Sequence, residues 1–236
     1  NEPTTLQLTA FPTATTCNGL SDGSILSNAT GGTPTFTYTA TNNTNNYTSA
    51  NGIFSNLAAG VYTVVATDVN GCTVSAALTI NEPTAVSYTL NNTDATCYRY
   101  SDGIIEVIPS GGTPGYRLLR DGMDSSTSGI YTNLAAGSYY IEVTDMNGCS
   151  ATFTTQISQP DSIILSATPN PLSTPLGNPM DINVTSNQAG NIIYSWLPQT
   201  GLNCYDCDNP IFNGISSIEY TVLVTTANGC TASVPL

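Results

Sequence analysis

The stretch VYTVVATDVNGC, Val61 to Cys72, returns as YYIEVTDMNGC, Tyr139 to Cys149, and in looser form as EYTVLVTTANGC, Glu219 to Cys230. Each alternates β-branched or aromatic residues with others at a period of two, the pattern of a strand with one buried face. The pairs Asn70-Gly71 and Asn147-Gly148 follow at once. This dipeptide predicts a type I′ hairpin, with positive φ at both positions.

Upstream of that hairpin the resemblance continues. CNGLSDGS, Cys17 to Ser24, matches CYRYSDGI, Cys97 to Ile104, and GGTP at Gly31 to Pro34 matches Gly111 to Pro114. NLAAG at Asn56 to Gly60 matches Asn133 to Gly137, so the offsets are 80 and then 77 residues. Pro3, Pro83 and Pro160 punctuate the same phase, which divides the chain at 1–82, 83–159 and 160–236. The third unit lacks SDG, GGTP and NLAAG and reads as a divergent relative or another sandwich type. The chain opens on a unit-ending Asn-Glu-Pro, from which a further unit is expected ahead of it. Other strand candidates are Leu6 to Ala10, Ile25 to Ala29, Phe36 to Ala40, Val74 to Ile80, Ile104 to Ile108, Phe153 to Ile157, Ile163 to Ala167, Ile192 to Trp196 and Tyr220 to Thr225. No segment holds a 3.6-residue period. The expected fold is all-β: three tandem immunoglobulin-like antiparallel β-sandwich domains in an elongated array.

Composition narrows what such a chain can do. Its 236 residues carry 16 acids, three bases and no histidine, for a net charge of -13. The bases are Arg99, Arg117 and Arg120, so no basic stripe exists to meet nucleic acid or an anionic membrane surface. Without histidine or lysine the common general bases and Schiff-base chemistry are gone. Only paired carboxylates could catalyse. The acids sit at turns, not on convergent strands, and the reading is non-catalytic. No run is long and apolar enough to insert in a membrane, and Asn1 to Thr5 do not begin a leader peptide, so a mature or excised piece is expected.

A sandwich of under 80 residues is marginal alone, and cysteines answer that. Repeat symmetry pairs Cys17 with Cys72 and Cys97 with Cys149, each bond closing about 50 residues and adding on the order of 4 kcal/mol. Such bonds persist outside a reducing cytosol, which makes the protein exported. Cys204 and Cys207 form a C-x-x-C read as a short-range disulfide. That leaves Cys230 as a buried thiol or a partner of one of those two.

The ordered motifs C-x-G-x-S-D-G, G-G-T-P, N-L-A-A-G-x-Y and V-T-D-x-N-G-C, from Thr4 to Pro160, resemble the SprB-type repeat of Bacteroidetes cell-surface adhesins. Copy two departs from it at Tyr98 and Arg99, where the glycine after the cysteine is missing. YSWLPQTGLNCYDCDNP, Tyr194 to Pro210, is similar to PKD-like and immunoglobulin-like domains. The resemblance implies a large outer-surface or secreted protein, exported by type IX secretion and used in adhesion or gliding. It implies no catalytic residue.

Candidate sites are few. Asp22, Asp68, Asn70, Asp102, Asp145 and Asn147 could supply oxygens to calcium, but the same residues cap hairpins by bonding their own backbone. No other cofactor is expected. Tyr47, Tyr98 and Tyr100 could stack on glycans, and Trp196 reads as a packed sandwich centre. Asp161-Ser162-Ile163 resembles a Bacteroidetes O-glycosylation acceptor at Ser162. Three roles fit: a disulfide-stapled stalk touching neighbouring repeats of the same protein, a self-associating filament, or a module binding surface polysaccharides.

Overall fold

The computed structural model describes residues 3–122, 124–170, 172–175 and 177–236, and every regular element among them is a strand. The first repeat folds as β1 (Gln7–Thr13), β2 (Gly23–Thr30), β3 (Thr37–Thr41), β4 (Asn46–Ser49), β5 (Ile53–Leu57), β6 (Gly60–Thr67) and β7 (Thr73–Ile80). They form two antiparallel sheets, β1-β2-β5 and β4-β3-β6-β7. Period-two alternation turns Ile25, Phe54 and Leu57 of the first sheet and Ala40, Tyr62 and Val64 of the second into one buried core. Of these, Ile25, Phe54, Leu57 and Val64 each contribute roughly 1.5–3 kcal/mol by leaving water.

The second repeat keeps the order with β8 (Ser87–Thr93), β9 (Gly103–Ser110), β10 (Arg117–Arg120), β11 (Asp124–Ser126), β12 (Ile130–Leu134), β13 (Gly137–Thr144) and β14 (Ser150–Ile157). Its sheets, β12-β9-β8 and β11-β10-β13-β14, reproduce those of the first repeat strand for strand. The third has β15 (Leu165–Thr168), β16 (Met180–Asp181), β17 (Asn183–Ser186), β18 (Ile192–Leu197), β19 (Ile211–Phe212), β20 (Thr221–Thr226) and β21 (Thr231–Pro235). Here the pairing is β15-β17, β16-β19 and β18-β20-β21, so the missing landmarks go with a different sheet layout. Trp196 is fully buried in this core against Tyr220 and the β20 valines.

The chain divides into two compact units. One holds residues 1–90, 107–129 and 140–154; the other holds 91–106, 130–139 and 155–236.

The shared motifs have physical explanations. In SDG, a Cβ on Gly23 would lie 2.8 Å from Ile80 Cγ2, and one on Gly103 2.6 Å from Ile157 Cγ2, so only hydrogen fits. In GGTP, Gly31 takes φ 74°, and a side chain there would strike the Thr5 carbonyl at 2.1 Å. In NLAAG-x-Y, Asn56 and Asn133 adopt left-handed φ of 57° and 58°, which asparagine tolerates. The Tyr62 hydroxyl then donates to Ala58 O at 3.1 Å, as Tyr139 does to Ala135 O at 2.7 Å.

The Asn-Gly turns differ from the type I′ expectation. Gly71 and Gly148 are left-handed at 84°, while Asn70 and Asn147 are not. The acid two residues before each asparagine imposes another geometry: Asp68 Oδ1 accepts from Asn70 N at 3.0 Å and Cys72 N at 2.9 Å. Asp145 repeats this with Asn147 and Cys149, at 2.9 and 2.8 Å.

Candidate functional site

The chemistry-bearing residues are the cysteines, and two loops place them. The loop from β1 to β2 carries Cys17. Its Thr15 N–H donates to Asn81 O at 3.0 Å, and Gly19 N–H donates to the Glu82 carboxylate at 2.7 Å. Asp22 closes the loop by accepting the N–H and the hydroxyl of Thr16. Cys17 therefore lies where β7 ends. The second repeat builds the same loop around Cys97, with Ala95 N–H on Ser158 O, Arg99 N–H on Gln159 Oε1 and Asp102 holding Thr96. Arg99 keeps a left-handed φ of 60° where copy one has Gly19 at 74°, so the departure from the motif leaves the loop intact.

Cys72 sits at the opposite end of β7, in the turn capped by Asp68. The eight residues of β7 span about 26 Å at ~3.3 Å each, and a disulfide requires Cα atoms within ~7 Å. The Cys17–Cys72 pairing expected from symmetry is therefore geometrically excluded. Cys97 and Cys149 stand at the two ends of β14 and are separated in the same way. The bonds that form are staggered by one repeat. Cys17 joins Cys149, Cα atoms 5.6 Å apart, within the first compact unit, and Cys97 joins Cys230, 5.5 Å apart, within the second. Asn147 Nδ2 secures the first junction by donating to Thr16 O at 3.2 Å, and Cys230 Sγ packs 3.2 Å from Thr96 O at the second.

Three further outcomes concern cysteine. Cys230 is neither a free thiol nor a partner of the C-x-x-C pair, since it takes Cys97. Cys204 and Cys207 are bonded to each other, and Cys207 O accepts the Trp196 indole N–H at 2.9 Å. Cys72 is the exposed free cysteine. In the third repeat Thr226 stands where the others have Asp68 and Asp145, and its hydroxyl still accepts Cys230 N–H at 3.2 Å.

The proposed calcium oxygens act as caps. The Thr16 hydroxyl bond holds the Asp22 carboxyl below its ordinary range, and the Thr96 bond does so for Asp102. The Thr33 N–H lowers Asp68 in the same way. Burial alone would raise Asp145, but N–H groups of Thr113, Cys149 and Asn147 outweigh it. Among the described residues no three or more metal-ligating side chains converge.

Tyr98 and Tyr100 are about half exposed and border a cavity of about 350 Å³ that Ser162 also lines. Tyr47 instead tilts against Tyr62. Among the described residues no helix is long and apolar enough to cross a membrane.

The class defined by these features is a tandem all-β repeat chain stapled by cysteines at its repeat ends. The SprB repeat family model matches it twice, at residues 9–45 and 89–118, the opening strands and cysteine loops of repeats one and two. No curated protein matches the chain. Among solved structures, the chain is similar to a three-domain immunoglobulin fragment of titin, I67–I69, at 13% identity and TM-score 0.42, covering 98% of this chain and 97% of that one. It is similar to a 1.5-MDa bacterial ice-binding adhesin at 12% identity and TM-score 0.42, covering 99% and 96%. It also matches Sidekick-1 immunoglobulin domains 1–5 at 13% identity and TM-score 0.40, all of this chain falling on 58% of that one.

Proposed function

We propose that this chain is a non-catalytic stalk segment of an extracellular bacterial surface adhesin, built from sandwich modules at 1–82, 83–159 and 160–236. The observation that carries this reading is the staggered disulfide pair, because each bond crosses from the start of one repeat to the end of the next. A bond confined to one module would stabilise that module alone. A bond between consecutive modules also resists their separation, which is what a tether under shear needs. The bonds require an oxidising compartment, in keeping with an outer-surface location. Type IX export and a part in gliding are the finer readings that the SprB repeat family carries.

The test is in cells. Antibody against this segment should label intact, unpermeabilised cells, and in-frame deletion of the segment should lower adhesion under flow while leaving static attachment less affected. Labelling only after permeabilisation refutes the reading. A glycan-binding role has one observation in its favour, the exposed Tyr98 and Tyr100 beside the cavity in the second unit. Saturable binding on a glycan array, lost in Tyr98→Ala with Tyr100→Ala, would establish it.

A further inference from the structure

We infer that Cys72 and the cleft beside it form the receiving half of a third inter-repeat disulfide, whose partner is the cysteine loop of another SprB-type repeat placed ahead of this one. Cys72, Cys149 and Cys230 hold the same position after the Asn-Gly turn of successive repeats. The latter two are each bonded to the loop cysteine of the repeat before.

The surroundings of Cys72 independently describe the same socket. A cleft of about 310 Å³ is lined there by Pro3, Asn70 and Cys72. Their counterparts in the second repeat are Pro83, Asn147 and Cys149, and all three hold the segment Thr16 to Asn18. Pro83 O accepts from Asn18 Nδ2 at 3.1 Å, Asn147 Nδ2 donates to Thr16 O, and Cys149 is bonded to Cys17. Asn70 is already set in the matching orientation, its amide donating to Thr33 Oγ1 at 3.0 Å as that of Asn147 does to Thr113 Oγ1. The occupant that fits is a loop of the form Thr-Cys-Asn, offering a backbone carbonyl, a thiol and a side-chain amide in that order.

The bond forms by thiol-disulfide exchange with a low-molecular-weight or protein disulfide. One of the two cysteines, as thiolate, attacks the donor and releases one donor thiol; the second then attacks the mixed disulfide and releases the other. Two protons and two electrons leave the cysteine pair, and the donor is reduced to two thiols. This linkage holds whatever the chain adheres to.

The test uses the full chain with a second copy of residues 4–80 fused ahead of Asn1, oxidised with oxidised glutathione, alkylated and mapped without reductant. Cys17 of the copy should appear linked to Cys72, and alkylation of Cys72 should drop roughly tenfold from its level in the unfused chain. Cys17→Ser in the copy should restore it. Full alkylation of Cys72 while Cys17–Cys149 and Cys97–Cys230 are intact overturns the inference, as does a Cys72-to-Cys72 bond. Should those two native bonds fail to form in this fusion, a fusion carrying residues 84–157 instead presents the Cys97 loop and is read by the same outcomes.

Discussion

Pulling on the two ends of the oxidised chain should extend it by much less than its length allows. The shortest covalent route covers the 16 residues ahead of Cys17, crosses to Cys149, runs backward to Cys97, crosses to Cys230 and leaves through the last six. The backward leg is 52 residues, so about 74 residues carry the load, and at ~3.6 Å each the fully unfolded contour is ~270 Å. Full reduction frees all 236 residues and a contour of ~850 Å. Bonds within each repeat would instead leave about 128 residues in the path, or ~460 Å. Single-molecule force spectroscopy with handles on Asn1 and Leu236 separates these values easily. Cys230→Ser should lengthen the oxidised contour to ~370 Å, since the route then runs from Cys149 to the end. An oxidised contour near 460 Å would refute the staggered arrangement.

Three other outcomes are expected. Cys149→Ser opens a closed loop of 132 residues, worth up to ~5 kcal/mol in the chain-entropy model, and should lower the calorimetric Tm while leaving Cys17 and Cys72 both alkylatable; a Cys17–Cys72 bond in that variant would contradict the distance along β7. Gly103→Ala puts a methyl 2.6 Å from Ile157 Cγ2 and should cost ~1–3 kcal/mol in denaturant titration, whereas Gly137→Ala, with open space around its Cβ, should be near neutral. Asp22, Asp68, Asp102 and Asp145 all have carboxyls held below the ordinary 3.8. Because the folded value is the lower one, their contribution is present above about pH 4 and is lost as pH falls through the folded values, so Tm should drop as pH is lowered below about 4. Asp68→Asn with Asp145→Asn should flatten that slope, and an unchanged slope would remove the caps from the account.

The strands legible in the sequence were those whose alternation places large apolar residues on one face, such as β2, β6, β9 and β18. The short β4, β10, β11, β16, β17 and β19 hold too little pattern in two to four residues, β5 and β12 carry their signal in the left-handed Asn56 and Asn133 of a landmark motif, and β8 and β21 leave most of their residues exposed, so none of these is among the strands expected from the sequence. The turn acids were recognisable as caps. The cysteine partners were not. Translation by one repeat leaves both the within-repeat and the staggered pairing symmetric, and each leaves one cysteine over, Cys230 or Cys72. The distinction lay in a length that the letters do contain: eight strand residues separate Cys72 from Asn81, and Asn81 binds the loop of Cys17. That length decides the pairing only because β1 and β7 lie side by side, a long-range contact that local pattern does not encode.

The two long disulfides overlap in sequence, since Cys97 falls between Cys17 and Cys149 while Cys230 lies beyond both. Hydrolysis of any one peptide bond from Cys17 to Cys230 consequently leaves a covalent route between the ends. A protease that nicks an exposed loop alters the chain without severing it, and release of the distal part takes three cuts, one in each of the segments 17–97, 97–149 and 149–230. For a chain exposed to proteases, severing therefore depends on triple hits, which accumulate with the cube of exposure time at first and not in proportion to it.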